Sequence, residues 1–351
     1  MNQQIKRKRL VELDGLRGIA AVSVVLYHYT SMYNTLYGHE GLLGKYNFSI
    51  GSHGVQLFFM ISGFVIFLSL NHLKRPMDFV VSRFSRLYPP YWVAIACTFS
   101  VVYLFGLPGR QFSPITALKN MSMLQGYFKV SSIDGVYWTL KVELTFYFWM
   151  FISYLFNGLK KIELFLILLM FMNVFVYFAD INLVVQLRDA LLFSHLPFFA
   201  IGICLFKIFY KEYNQLTIAT LILALSVILL LYSVKLFILY LSFTIIFYFG
   251  IKGKISVLSS KVLVFIGSIS YSLYLLHQNI GYVIINKGYE IGINPLISVF
   301  FAAIIVTVIS YISYKLIELP SSKIIRKFYK NIRFKFQLES NKSNDSTLYS
   351  K

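Results

Sequence analysis

Apolar runs of about 17 to 24 residues, each long enough to cross a bilayer as a helix, recur along the whole chain. They are Leu16–Met32, Val55–Leu70, Tyr91–Leu107, Trp138–Phe156, Leu164–Phe178, Leu191–Phe209, Leu216–Tyr232, Leu236–Gly250, Val262–Ile285 and Leu296–Ile317, the fifth and eighth being short. Hydrocarbon leaves backbone polar groups no outside partner, so such runs fold as helices that satisfy their own hydrogen bonds. With 58% hydrophobic and 13% charged residues, the 351-residue chain carries more apolar surface than a soluble domain of that length can bury. The expected fold is therefore all-α, a polytopic transmembrane bundle of about ten spans.

The cations give the bundle a direction. With a cytoplasmic N-terminus, the inner segments collect Lys6 to Arg9, Lys74, Arg75, Arg83, Arg86, Lys160, Lys161, Lys207, Lys211, Lys252, Lys254, Lys261 and a basic tail, while the outer loops hold only scattered cations. Positive-inside asymmetry and an even span count place both termini in the cytoplasm. The net charge of +19 then reports topology and contact with anionic membrane lipids, and no basic run sits in a nucleic-acid-binding module. Residues 1–320 read as one membrane-embedded domain and 321–351 as a basic, polar, partly disordered cytoplasmic tail. No cleavable signal peptide is expected, because Arg17 opens the first apolar run and no small-residue cleavage site precedes a soluble domain. Cys97 and Cys204 both fall inside apolar runs, as core fillers rather than a disulfide or a thiol nucleophile.

The connections differ. The segment from Pro108 to Tyr137 is the longest and mixes Pro, Gly and Ser with apolar residues, the composition of an ordered loop that covers or feeds a site. Met77 to Leu87 reads as a short interfacial helix ended by Pro89–Pro90, which would open the third span.

Polar residues inside the runs are the functional candidates, since an ionisable group in hydrocarbon costs roughly 2.5 kcal/mol or more unless it is paired. Arg17 and His28 are eleven residues apart, three helical turns, so they share one face about 16 Å apart. Threading the runs in their assigned directions places His28, Glu143, His195 and His277 in one outer layer. Arg17, Arg83 and Arg86 fall at the opposite, inner end. His39, His53 and His72 lie in loops or at run ends without metal-ligand spacing, which argues against zinc.

Five motifs in order carry a family resemblance: Leu13-Asp14-Gly15-Leu16-Arg17-Gly18 leading to His28, Gly54-Val55-Gln56-Leu57-Phe58-Phe59-Met60-Ile61-Ser62-Gly63-Phe64, Arg83-Phe84-Ser85-Arg86-Leu87-Tyr88-Pro89, Trp138-Thr139-Leu140-Lys141-Val142-Glu143, and Ser270-Tyr271-Ser272-Leu273-Tyr274-Leu275-Leu276-His277. Together they resemble the bacterial acyltransferase-3 family of integral membrane O-acyltransferases, from Leu13 to about Pro320. The resemblance implies a bacterial cytoplasmic-membrane enzyme with acetyl-CoA as donor substrate, no permanently bound cofactor, and a glycan or lipid-linked sugar hydroxyl as acceptor. Gln56 stands where many relatives have Asp and Leu144 where many have a second Glu, departures that bear on substrate subgroup. The esterase-like domain some relatives append is not expected here.

The separation of Arg17 from His28 matches an extended pantetheine arm. Arg17, Arg83 and Arg86 are thus expected to hold coenzyme A phosphates, and His28 to act as general base with Glu143 orienting it. Transient acylation of His28 is the alternative chemistry. Trp138, Tyr271, His195 and His277 are candidate acceptor contacts, although Trp138 also suits an aromatic belt and the two histidines also suit interhelical ties. A secondary transporter or flippase is the rival reading, against which stands the absence of a repeated half or of paired Gly/Pro-broken spans.

Overall fold

The computed structural model describes residues 10–73, 75–179 and 185–348. The cations Lys6 to Arg9 and Lys74 lie outside the described residues. Twelve main helices follow in chain order: α1 Val11–Tyr27, α2 Gly54–Asn71, α3 Pro76–Phe105, α4 Trp138–Leu155, α5 Ile162–Phe178, α6 Leu196–Phe209, α7 Gln215–Leu231, α8 Val234–Ile251, α9 Lys261–Leu276, α10 Gln278–Glu290, α11 Pro295–Ser313 and α12 Leu319–Leu348. Short helical turns join them, and no strand occurs among the described residues. Side-chain oxygens of Asn214, Ser233, Ser260 and Asn294 cap α7, α8, α9 and α11, each accepting from a backbone N–H of the first turn.

Among the described residues, five helical stretches are long and apolar enough to cross a membrane by length and composition: Ser49–Asn71, Pro76–Phe105, Gly158–Phe178, Val234–Ile251 and Pro295–Phe334. Leu196–Phe209, Gln215–Leu231 and Lys261–Leu276 are shorter apolar helices. Large apolar side chains such as Leu168, Phe175, Ile222 and Phe300 are exposed on the outside, as a lipid-facing surface requires. In α6, by contrast, every residue from Leu196 to Lys207 is buried. A helix apolar all round belongs at the centre of a bundle.

Small residues set the spacing of the central helices. A Cβ on Gly267 of α9 would lie 1.7 Å from the Asp14 carbonyl oxygen, and one on Gly18 of α1 would lie 2.3 Å from that of Leu263. Gly63 and Gly202 do the same for α2 against α6. Backbones at such range gain dispersion contacts that lipid cannot match. A buried ion pair, Lys207 with Glu163, ties α6 to α5, and Thr217 of α7 donates to the same carboxylate.

Three expectations are corrected. Met77 to Leu87 is not a separate interfacial helix, because α3 runs unbroken from Pro76 to Phe105 with Pro89 and Pro90 inside it. The Tyr271 hydroxyl donates to the Leu87 carbonyl (2.8 Å) in that turn, which ties α9 to α3 beside the prolines. The ninth run is two helices, α9 and α10, broken at His277. The segment beyond residue 320 continues as helix α12, which pairs with α3 through Arg326 and Arg333.

Candidate active site

α1 and α9 run side by side in the same direction, which the glycine contacts permit, so Arg17 and His28 on α1 each face a partner layer on α9. Two π-helical turns interrupt the regular ladders there. One begins at His28 (His28–Met32) and the other ends at Glu318 (Tyr314–Glu318). Such turns re-aim side chains and are frequent at functional sites.

At the His28 end, His277 Nε2 lies 3.1 Å from His28 Nδ1. His277 Nδ1 lies 2.9 Å from the Tyr274 carbonyl and 3.1 Å from that of Leu273, so it carries the proton and Nε2 accepts. His28 Nδ1 is also 2.9 Å from the Val24 carbonyl, which assigns it a proton shared between that oxygen and His277. The network thus assigns the lone pair of neutral His28 to Nε2, the nitrogen that takes part in none of these bonds. His277 is fully buried, and its own carbonyl accepts from Tyr29 (2.7 Å).

The break at His277 is held by Asp134, a residue that the sequence did not single out. Asp134 Oδ2 accepts from the Asn279 backbone N–H (3.0 Å) in the first turn of α10, and Oδ1 from that of Val136 (3.2 Å). Asn279 Nδ2 donates back to the Ile133 carbonyl (2.9 Å), and Tyr137 reaches the Leu275 carbonyl (3.2 Å). Asp134 has no exposed surface, and burial pushes its carboxyl up to about 6. The long loop from Pro108 is ordered through Asn120, which bonds Thr116, Ser131 and Ile133. The only signal for Asp134 was its place four residues before Trp138, which periodicity cannot read.

At the other end, Arg17, Arg83 and Arg86 meet around an interior cavity of about 80 Å³, together with Glu143, Tyr147, Ser62, Tyr271 and Tyr274. A second, more open cavity of about 250 Å³ lies against Arg17, Arg86, Tyr271, Glu318 and Ser322. The two share Arg17, Arg86, Ser270 and Tyr271. Arg17 pairs with Asp14 at 3.4 Å, and Glu318, buried and also missed in the sequence, accepts from Ser272 (2.9 Å). The upper wall of the interior cavity is Tyr274, whose ring lies 5.7 Å from that of His277. Neither histidine lines the cavity, so the Tyr274 ring stands between the arginines and the histidine pair.

Glu143 is not beside His28. It accepts from Tyr147 and from Ser62 (3.1 Å), inside the arginine-lined cavity. The physical reason is the side of α4 it occupies: Glu143 lines the cavity with the three arginines and feels their charge across it, its direct partners being the two hydroxyls. Tyr271 is engaged with Leu87. Trp138, 43% exposed, and His195 sit 5.5 Å apart near Phe59 (5.1 Å from His195), apart from the His28–His277 pair. His195 Nδ1 is buried with no hydrogen-bond partner among the described residues.

The family described as Acyltransferase domain, acyltransferase-3, matches residues 10–315. Nodulation protein 10 of Rhizobium leguminosarum bv. viciae is 30% identical over 154 residues, which is 38% of this chain and 41% of that protein. Exopolysaccharide production protein ExoZ of Rhizobium meliloti (strain 1021) is 40% identical over 50 residues, 14% of this chain and 16% of the relative. O-acetyltransferase OatA of Staphylococcus aureus (strain NCTC 8325 / PS 47) is 25% identical over 359 residues, 89% of this chain and 57% of OatA. The alignments thus span less than three fifths of each relative's length. No solved structure matches. The five motifs converge on two layers of one helical bundle and the family match runs over most of its length, so this chain belongs to the acyltransferase-3 family.

Proposed function

We propose that this protein is a multi-pass membrane O-acyltransferase that moves an acetyl group from cytoplasmic acetyl-CoA to a hydroxyl of a cell-envelope polysaccharide or lipid-linked sugar. The observation that carries this reading is the cavity that joins Arg17, Arg83 and Arg86 to Tyr274, one ring away from His277. The names of OatA and ExoZ support acetyl transfer and a polysaccharide context for those relatives. About ten crossings with both termini cytoplasmic remain the favoured topology, on the strength of the cation distribution.

In this reading the arginines take the phosphates and the pantetheine arm follows the cavity toward the histidines. The interior cavity holds only a few waters, so the arm enters by displacing lining side chains, Tyr274 foremost. His28 Nε2 removes the acceptor hydroxyl proton as the oxygen attacks the acyl carbonyl. The imidazolium keeps Nδ1–H on the Val24 carbonyl and His277 Nε2, so a neutral histidine does the orienting that a carboxylate does in other triads. Collapse of the tetrahedral intermediate breaks the carbon–sulfur bond, and the proton on His28 passes to the thiolate. Glu143 offsets arginine charge in the donor cavity.

Radiolabelled acetyl-CoA added to purified protein in nanodiscs with isolated envelope glycan should yield labelled glycan. His28→Ala should abolish the label while acetyl-CoA binding persists. Uptake of glycan precursor into vesicles with no label transfer would establish the transporter reading instead.

A further inference from the structure

Helix α12 begins with Leu319 and Pro320, beyond the residues that the family match covers, and lies along the first half of α3. Arg326 of α12 donates from Nε to Ser85 Oγ (3.3 Å) and from NH2 to the Ser82 carbonyl (3.4 Å). Two helical turns further on, Arg333 approaches Asp78 of α3 at 3.5 Å, a partly exposed pair of the kind that adds little to packing. Ser82 and Ser85 alternate with Arg83 and Arg86 in the run Ser82-Arg83-Phe84-Ser85-Arg86, so the contact brings a third guanidinium to the two on α3.

These cations lack a direct ion pair, the carboxylates of Glu143 and Glu318 standing further off across the two cavities. No carboxylate lies within 4.0 Å of Arg83, Arg86 or Arg326 among the described residues. Arg83 spends NH2 on Ser69 and Ser82 (3.4 and 3.3 Å), while its Nε and NH1 are buried with no hydrogen-bond partner among the described residues. Buried guanidinium donors without acceptors are costly, and like charges at this range repel. An anion with several acceptor oxygens removes both penalties, and guanidinium groups match phosphate oxygens best. Arg326 is exposed, within reach of a group that arrives from solvent or from the membrane surface.

We infer that Arg326, carried by α12, completes with Arg83 and Arg86 a phosphate-binding site built across α3 and α12. The site extends the donor reading of the arginine cluster, and the same chemistry fits a nucleotide phosphate of the donor or the headgroup phosphate of an anionic lipid.

The experiment uses the full chain in nanodiscs of zwitterionic lipid. Binding of coenzyme A, 3′-dephospho-coenzyme A and pantetheine is titrated for the wild type, Arg326→Ala, Arg326→Lys and Arg333→Ala. Lipid retention is read in parallel by native mass spectrometry after exchange into phosphatidylglycerol. For a nucleotide site, Arg326→Ala weakens coenzyme A binding about tenfold or more, leaves pantetheine unchanged, and Arg326→Lys recovers part of the loss. For a lipid site, Arg326→Ala sheds bound phosphatidylglycerol with coenzyme A affinity intact. Arg333→Ala should change neither ligand, and coenzyme A and lipid binding both unchanged in Arg326→Ala overturns the inference. A wild type with no affinity for coenzyme A sinks the donor reading alone, because the lipid arm still tests the site.

Discussion

Gly267→Ala is the sharpest test of how the bundle assembles its site. The new methyl carbon would lie 1.7 Å from the Asp14 carbonyl oxygen, and real Cβ atoms essentially never approach closer than 3.0 Å, so α1 and α9 must part by at least 1.3 Å at that level. His28 and His277 sit further along the same two helices, at 3.1 Å. A rigid-body parting of that size takes the pair beyond 4 Å and ends the hydrogen bond. Overpacking of this kind costs about 1–3 kcal/mol of stability, and an ångström of misplacement about 10²-fold in rate. Gly250→Ala is the matched control, since its Cβ would meet side-chain ends and no backbone, Leu258 Cδ1 at 2.6 Å and Leu16 Cδ1 at 3.8 Å. The assays are thermal unfolding in detergent and acetyl transfer per folded molecule. Gly267→Ala should lower both and Gly250→Ala neither. A Gly267→Ala protein with wild-type Tm and a rate within twofold would refute the claim that this glycine seam sets the histidine spacing.

Arg17→Ala should weaken acetyl-CoA binding about tenfold or more, with Arg17→Lys a partial rescue, as read by direct titration of purified protein; unchanged affinity removes the phosphate role. His277→Gln and Glu143→Gln should each slow transfer, and the double variant should lose the product of the two factors, because the residues share no contact; a double loss no greater than the worse single one would show that they act as a unit. Asp134→Asn should flatten the dependence of Tm on pH. The folded-state value of about 6 is raised from the ordinary 3.9 or so by burial, so this carboxyl favours folding below about pH 4 and that contribution, about 3 kcal/mol, is lost as pH rises through 6; an unchanged slope in the variant would show that another group titrates there.

The helical class was legible because hydrocarbon leaves a chain no alternative, and the apolar runs are helical over most of their length, the ninth as two helices. Boundaries were less so. Pro89 and Pro90 read as an opening because proline lacks a donor, but sequence does not show that packing against α9, where Tyr271 bonds the Leu87 carbonyl, will hold the helix through them. Arg17, Arg83 and Arg86 could be grouped from direction and spacing, and the cavity joins them. The Glu143–His28 pairing could not be judged, since depth along a helix axis says nothing about which way a side chain faces around it. Threading the runs gave Glu143 the depth of the histidines, yet it lines the cavity with the arginines. Asp134 and Glu318 lay in a loop and at the end of the last run, where no hydrophobic period marks a residue as buried.

Arg17 and Arg86 border both cavities, with Ser270 and Tyr271, so the wall between the open one and the interior one carries guanidinium groups. A bundle hollowed from one side is in danger of becoming a leak, since a file of waters conducts protons and small cations down the gradient across the bilayer. Fixed positive charge at the junction raises the electrostatic barrier to those cations and lowers it for anions, as arginines do in selective pores. The same side chains that suit a phosphorylated donor would then keep the membrane insulating while the site is empty.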